Sequence, residues 1–118
     1  MRCYTHQHNH SWGIDLQAKA MDVCLLDQHG AKLVPKNLPT TPEAFLRVSA
    51  PYRDDLVVGA ECLFTWYWLA DLCAQEGSAF VLGHALDMKA SHGGKEKNDK
   101  IDAHKSAVLL RGGMFPLA

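Results

Sequence analysis

Four carboxylates stand where this sequence could do chemistry. Asp15 closes Ser11-Trp12-Gly13-Ile14-Asp15, a short run with the character of a strand. Glu61 directly follows Asp55-Leu56-Val57-Val58-Gly59-Ala60, a run of the kind buried on both faces of a sheet. Asp99 and Asp102 are three residues apart in a helix-patterned segment, which puts their Cβ atoms about 5–6 Å apart on one face. Like charges so placed repel and call for a counter-charge, from Lys97, Lys100 or a divalent cation. Carboxylates gathered at one strand edge suit a hard, oxygen-seeking ion such as Mg²⁺. Two such ions about 3.5–4 Å apart stabilise the attacking and the leaving oxygen of a phosphoryl displacement. Each acid also has a plainer role open to it: Asp99 as a helix N-cap, Asp102 as a first-turn acid favoured by the dipole, Glu61 as a surface residue. Spacing alone leaves both readings standing.

The elements that would position these residues follow from local pattern. Ser11–Leu16 and Met21–Leu26 read as strands, Asp27-Gln28-His29-Gly30 as a turn, and Ala31–Val34 as a return strand, an antiparallel meander. Thr41-Pro42-Glu43 starts a helix that runs to about Ala50, where Pro51 stops it. A strand over 55–60 follows, then a helix over Leu63–Gln75 closed by Gly77. Ala79–Leu82 is a fifth strand, and Asp99–Leu110 a third helix with Gly112-Gly113 behind it. The order β-β-β-α-β-α-β-α implies an α/β fold with a mixed five-stranded sheet and helices on both faces. The crossover places the fourth strand parallel to the first and beside it, so Asp15 and Glu61 meet at the carboxyl ends, where open α/β sheets bind ligands. On the last helix, Ala103, Ala107, Leu110 and Met114 form an apolar stripe, with Asp99 and Asp102 at its edge.

Composition bounds the rest. The 118 residues are 47 % hydrophobic and 21 % charged, enough for one core and too apolar for disorder. Twelve basic against 13 acidic residues give a net charge of −1, so bulk charge makes no case for nucleic acid. The balance conceals an asymmetry: residues 1–88 carry six basic and ten acidic groups, residues 89–118 six basic and three acidic. The basic end holds the loop His92-Gly93-Gly94-Lys95-Glu96-Lys97, a solvated face or a phosphate-contacting one. The loop lacks the spacing of a nucleotide-binding glycine loop. Cys3, Cys24, Cys62 and Cys73 form no Cys-x-x-Cys pair and read as reduced thiols of a cytoplasmic protein. The N-terminus has no apolar stretch, and the uncharged run Cys62–Ala70 is far short of the roughly 20 residues that span a membrane. His6, His8 and His10 alternate on what reads as an exposed arm over residues 1–10, with no acid or Cys beside them to complete a metal set. Trp66, Tyr67 and Trp68 read as core, with one ring left over for a partner surface.

Gly13-Ile14-Asp15-Leu16, then Glu61, then Lys97-Asn98-Asp99-Lys100-Ile101-Asp102-Ala103-His104-Lys105, resemble the N-terminal domain of DEDD-type transposases of bacterial insertion sequences. That group includes Piv-like invertases and bridge-RNA-guided recombinases. His84-Ala85-Leu86-Asp87-Met88-Lys89-Ala90-Ser91-His92-Gly93-Gly94 resembles it as well, and the likeness spans nearly the whole chain. The Lys-Asn-Asp-Lys-Ile-Asp-Ala stretch is its most specific part. The resemblance implies a ribonuclease H-like fold, related to Holliday-junction resolvases. It implies that Asp15, Glu61, Asp99 and Asp102 are an acidic tetrad binding Mg²⁺, and that the domain acts on DNA in transposition and site-specific recombination. Lys95, Lys97, Lys100 and Lys105 would approach the nucleic-acid backbone. A structured guide RNA serves some members, and self-association is expected of the full-length family.

Two departures stand out. Gln17-Ala18 occupy a place where members carry a basic residue or histidine, and Lys19 is the nearest substitute. Members also continue into a second domain that supplies a serine nucleophile. The sequence ends at Ala118 without it, so the expectation is a truncated fragment, inactive in recombination by itself. Two other readings remain: a stand-alone Mg²⁺-dependent nuclease or resolvase, and a non-catalytic remnant that binds nucleic acid.

Overall fold

The computed structural model describes residues 2–16, 19–61, 66–84 and 102–118. Its main sheet is built on the alternation in β2 (His10–Asp15). Trp12 and Ile14 point to one face, and Ser11, Gly13 and Asp15 to the other. β2 pairs antiparallel with β3 (Ala20–Asp27) and parallel with β5 (Leu56–Glu61). The sheet order is β4-β3-β2-β5-β6, with β4 spanning Asn37–Pro39 and β6 Ala79–Gly83, β6 being parallel to β5. The expected mixed five-stranded sheet is therefore present.

One face is covered by α1 (Pro42–Ser49) and α2 (Tyr67–Glu76). Its core gathers Trp12, Ile14, Met21, Val23, Leu25, Phe45, Val58 and Leu69. The Trp12 and Phe45 rings stack at 4.8 Å, and each buried large side chain of this kind contributes about 2–3 kcal/mol. The other face is covered by α3 (Ala103–Arg111), whose Leu109 and Leu110 pack with Val57, Val81 and Phe115, and whose Ala103 and Ala107 pack with Cys24 and Leu26. Local signals set the helix ends. Thr41 caps α1 by accepting from the Ala44 N–H, and Gly77 ends α2 in the left-handed region with φ 75°.

Four expectations are corrected. Ala31–Val34 is not a strand: only Lys32 bridges to Leu26, and the ladder resumes at β4. Pro35, which has no N–H to donate, lies in the interruption. The third helix begins at Ala103, not Asp99, because Asp102 is its N-cap, with extended backbone at φ −81° and ψ 173°. Asp102 therefore precedes the helix as its cap and is not a residue of its first turn. Met114 lies past the end of α3 and is exposed. The N-terminal arm is tied down: β1 (Cys3–Tyr4) pairs antiparallel with β7 (Phe115–Pro116) in a small second sheet. Helix α2 begins at Tyr67, and the expected start at Leu63 lies outside the described residues, as do Asp99, Lys95, Lys97 and Lys100.

Cys3, Cys24 and Cys73 are free thiols. No helix among the described residues is long and apolar enough to cross a membrane.

Candidate functional site

Asp15 is the last residue of β2 and Glu61 the last of β5. The register pairs Ile14 with Ala60, so Asp15 and Glu61 are the next residues on neighbouring parallel strands. Such strands lie about 4.8 Å apart. Both side chains share the α3 face, with Gly13 and Gly59 two residues behind them. Asp15 is buried, Glu61 half-buried, and Asp15 Oδ2 and Glu61 Oε1 are both out of reach of solvent. A third acid lies beside Asp15, on β3: Asp22 is its Cα partner across the antiparallel pair. The strand alternation places Asp22 with Cys24 and Leu26, on the face that α3 covers. That signal was in the sequence, where Asp22 was read only as part of a strand.

Asp102 arrives from above, on the N-terminus of α3. Its Oδ1 accepts the Lys105 N–H at 2.8 Å, satisfying one of the amides a helix start leaves without a partner. The approach of α3 to the sheet is unusually close because Gly13 has no side chain. A Cβ there would lie 2.1 Å from the Ala103 carbonyl oxygen and 2.6 Å from the Ala107 nitrogen. Gly13 therefore sets the height of the start of α3, and of its cap Asp102, over the sheet. Asp102 lies close enough to Cys24 to act on it. Burial pushes the Cys24 thiol up, Lys32 opposes, and Asp102 adds to the rise.

Of the four acids expected to share a site, the structure sets Asp15 and Glu61 side by side. Asp102 stands at the helix start above, and Asp99 lies outside the described residues. Among the described residues no three His, Cys, Asp or Glu side chains group closely enough to hold a metal ion. Lys105 lies on the first turn of α3, half-buried.

Two adjacent carboxylates are nonetheless the donor set Mg²⁺ asks for. That ion keeps most of its water and takes one or two carboxylates together with substrate phosphate. Asp15 and Glu61 offer oxygens only, at the ends of two paired strands on the face that α3 covers.

The histidines of the arm have another role. His8 Nδ1 is 2.7 Å from Asp55 Oδ1, and its Nε2 is 2.6 Å from the Tyr4 hydroxyl. The Asn9 N–H donates to Asp55 Oδ2 at 2.9 Å. That amide, chiefly, and His8 hold the Asp55 carboxyl below its usual range. Burial and Asp55 push the Tyr4 hydroxyl up. This chain of contacts pins the arm to the start of β5. His10 packs against Tyr52, with ring centroids 4.9 Å apart.

RuvC from Thermus thermophilus superposes on this chain with a TM-score of 0.61, over 92 % of this chain and 99 % of that one, at 14 % sequence identity. The fold is ribonuclease H-like. No protein-family model matches the sequence, and no curated protein matches it. Within this ribonuclease H-like fold, the acid pair occupies the carboxyl ends of two neighbouring parallel strands, the crevice where open α/β sheets bind their ligands.

Proposed function

We propose that this chain is a Mg²⁺-dependent domain that cuts or transfers phosphodiester strands of DNA. The observation that carries the reading is the pairing of Asp15 and Glu61 on adjacent parallel strand ends, on the sheet face that α3 covers. The likeness to RuvC supports it through the fold.

Asp15 and Glu61 would hold the ion, joined by Asp102 and by Asp99 from the segment leading into α3. When bound, Mg²⁺ neutralises charge on a phosphate and polarises its phosphorus–oxygen bonds. The protein's own contribution is placement. Two strands fix the carboxylates with little freedom, Gly13 admits α3 to close the face, and the Asp102 cap holds the helix start in register. Lys95, Lys97, Lys100 and Lys105 would face the nucleic-acid backbone.

The finer assignment is to the DEDD-type transposase domain of insertion sequences. Gly13–Leu16, Glu61 and the Lys97–Lys105 stretch support it. Under that reading DNA is the substrate. A structured guide RNA and self-association carry over as traits of the resembled group.

The test is strand cleavage of end-labelled branched and linear DNA by the purified 118-residue chain. Cleavage that requires Mg²⁺ and disappears in both Asp15→Asn and Glu61→Gln is expected. Cleavage that survives either substitution, or that proceeds in a metal chelator, would overturn the assignment of the pair.

A further inference from the structure

We propose that a groove on β3, the strand next to Asp15, holds the backbone of a nucleic-acid single strand, gripped by Lys32 and Lys36. The inference rests on the reading of Asp15 and Glu61 as a metal seat, and says where the rest of the substrate lies.

The groove measures about 460 Å³ and runs between the first turn of α3 and the chain alongside β3. Its size is that of a small-ligand pocket, enough for a nucleotide unit and far too small for a duplex. Asp22 lines it and is the Cα partner of Asp15, so the groove lies one strand away from the carboxylate pair. Lys32 and Lys36 line its outer wall. Backbone bonds hold that wall rigidly. The Leu33 N–H donates to the Leu25 carbonyl at 2.9 Å, and the Val23 N–H to the Lys36 carbonyl at 2.7 Å.

The charges favour a polyanion. Both lysines are exposed, and neither takes part in an ion pair among the described residues, which leaves their ammonium groups to a ligand. The two acids of the groove are already engaged. Asp22 lies 2.6 Å from the Asn37 amide nitrogen when that amide is turned to donate. Asp102 accepts the Lys105 N–H and sits on the positive end of a helix. Val34, Cys24 and Ala103 supply an apolar surface on which a sugar or base can lie. A strand whose scissile phosphate sits at Asp15 and Glu61 meets α3 over the sheet, and this groove is the passage beside it.

The test is fluorescence anisotropy of a labelled single-stranded oligonucleotide with the full 118-residue chain, across a salt series. Lys32→Glu/Lys36→Glu should weaken binding at least tenfold. It should also flatten the salt dependence by about 1.4 in the log–log slope, the value for two phosphates at about 0.7 each. Arg2→Glu/Arg47→Glu makes the same change of charge on exposed residues elsewhere and should have a much smaller effect. Cross-linking of a thiothymidine-containing strand to the unmodified chain should map to residues 22–36 or 102–104, a readout that needs no variant to fold. Equal losses in the two double variants, or cross-links elsewhere, overturn the groove. So does a wild-type chain that binds no strand. The metal seat is judged separately, by whether Asp15→Asn abolishes a Mg²⁺-dependent rise in melting temperature. Lysine-dependent binding without that rise removes the seat and keeps the groove. The rise without lysine-dependent binding does the reverse.

Discussion

Replacing Gly13 with alanine adds one methyl group beneath α3, and the structure says what that methyl meets. The new carbon would sit 2.1 Å from the Ala103 carbonyl oxygen, 2.6 Å from the Ala107 nitrogen and 2.9 Å from Ser106 Cβ. Two of these atoms are helix backbone and cannot rotate away. Restoring an ordinary contact of 3.4 Å to the Ala103 oxygen requires α3 and β2 to part by about 1.3 Å. Overpacking of this kind costs about 1–3 kcal/mol, and a backbone clash belongs at the upper end. At about 4 °C per kcal/mol for a domain of this size, Gly13→Ala should melt about 8–12 °C below the wild type. Two other glycines calibrate the result. At Gly59 the nearest atom is the flexible Leu110 Cδ1 at 2.8 Å, so alanine there should cost less. At Gly77 nothing lies within 4 Å, and only the left-handed backbone resists, for about 1 kcal/mol. Circular dichroism melting of the three variants should rank them Gly13, then Gly59, then Gly77. A Gly13→Ala protein that melts within about 2 °C of wild type would refute the close approach of α3, and with it the placement of Asp102.

Asp102→Ala should lower the melting temperature by about 4 °C through loss of a cap worth about 1 kcal/mol, whereas Asp102→Asn should keep the cap. Any Mg²⁺ effect lost in Asp102→Asn then reports on the carboxylate alone. The Asp55 carboxyl is held low in the folded state, so its contribution is present above the ordinary carboxylate pKa near 3.9 and lost as pH falls below it. Protection of the Tyr4 amide, relative to its intrinsic exchange rate, should fall over that acid range in the wild type and be low at every pH in Asp55→Asn. Cys73 is fully buried and its thiol pushed up to about 12, so alkylation near pH 8 should label Cys3 and spare Cys73 until the chain unfolds. Mass mapping of the labelled sites checks this.

The main sheet was legible because its signals are local and strong. Apolar runs ending in Asp15 and Glu61 marked β2 and β5, and the crossover connection put them parallel and side by side. Thr41-Pro42 and Gly77 marked helix ends by the same reasons that the backbone shows. What escaped was set by non-local contact or by competition between equivalent signals. β1 and β7 are two residues each, too short for periodicity, and exist through pairing across more than a hundred residues. The β4 ladder skips past Pro35 and forms only at Asn37–Pro39. Asp99 and Asp102 are equally good caps by type, and the Lys105 amide is the partner that decides for Asp102. In the sequence Gly13 is one residue of the Gly-Ile-Asp stretch. Its role in admitting α3 depends on a helix ninety residues away.

The central claim is that Asp15 and Glu61 form a cation seat, and the most direct measurement is the melting temperature of the chain as Mg²⁺ is added. Binding to the folded state alone stabilises it by about 2.7 kcal/mol at a hundredfold excess over Kd, a rise of about 10 °C at this size. That rise is expected in the wild type and should be lost in both Asp15→Asn and Glu61→Gln. An Mg²⁺ response that is absent in the wild type, or unchanged in those two variants, would contradict the claim.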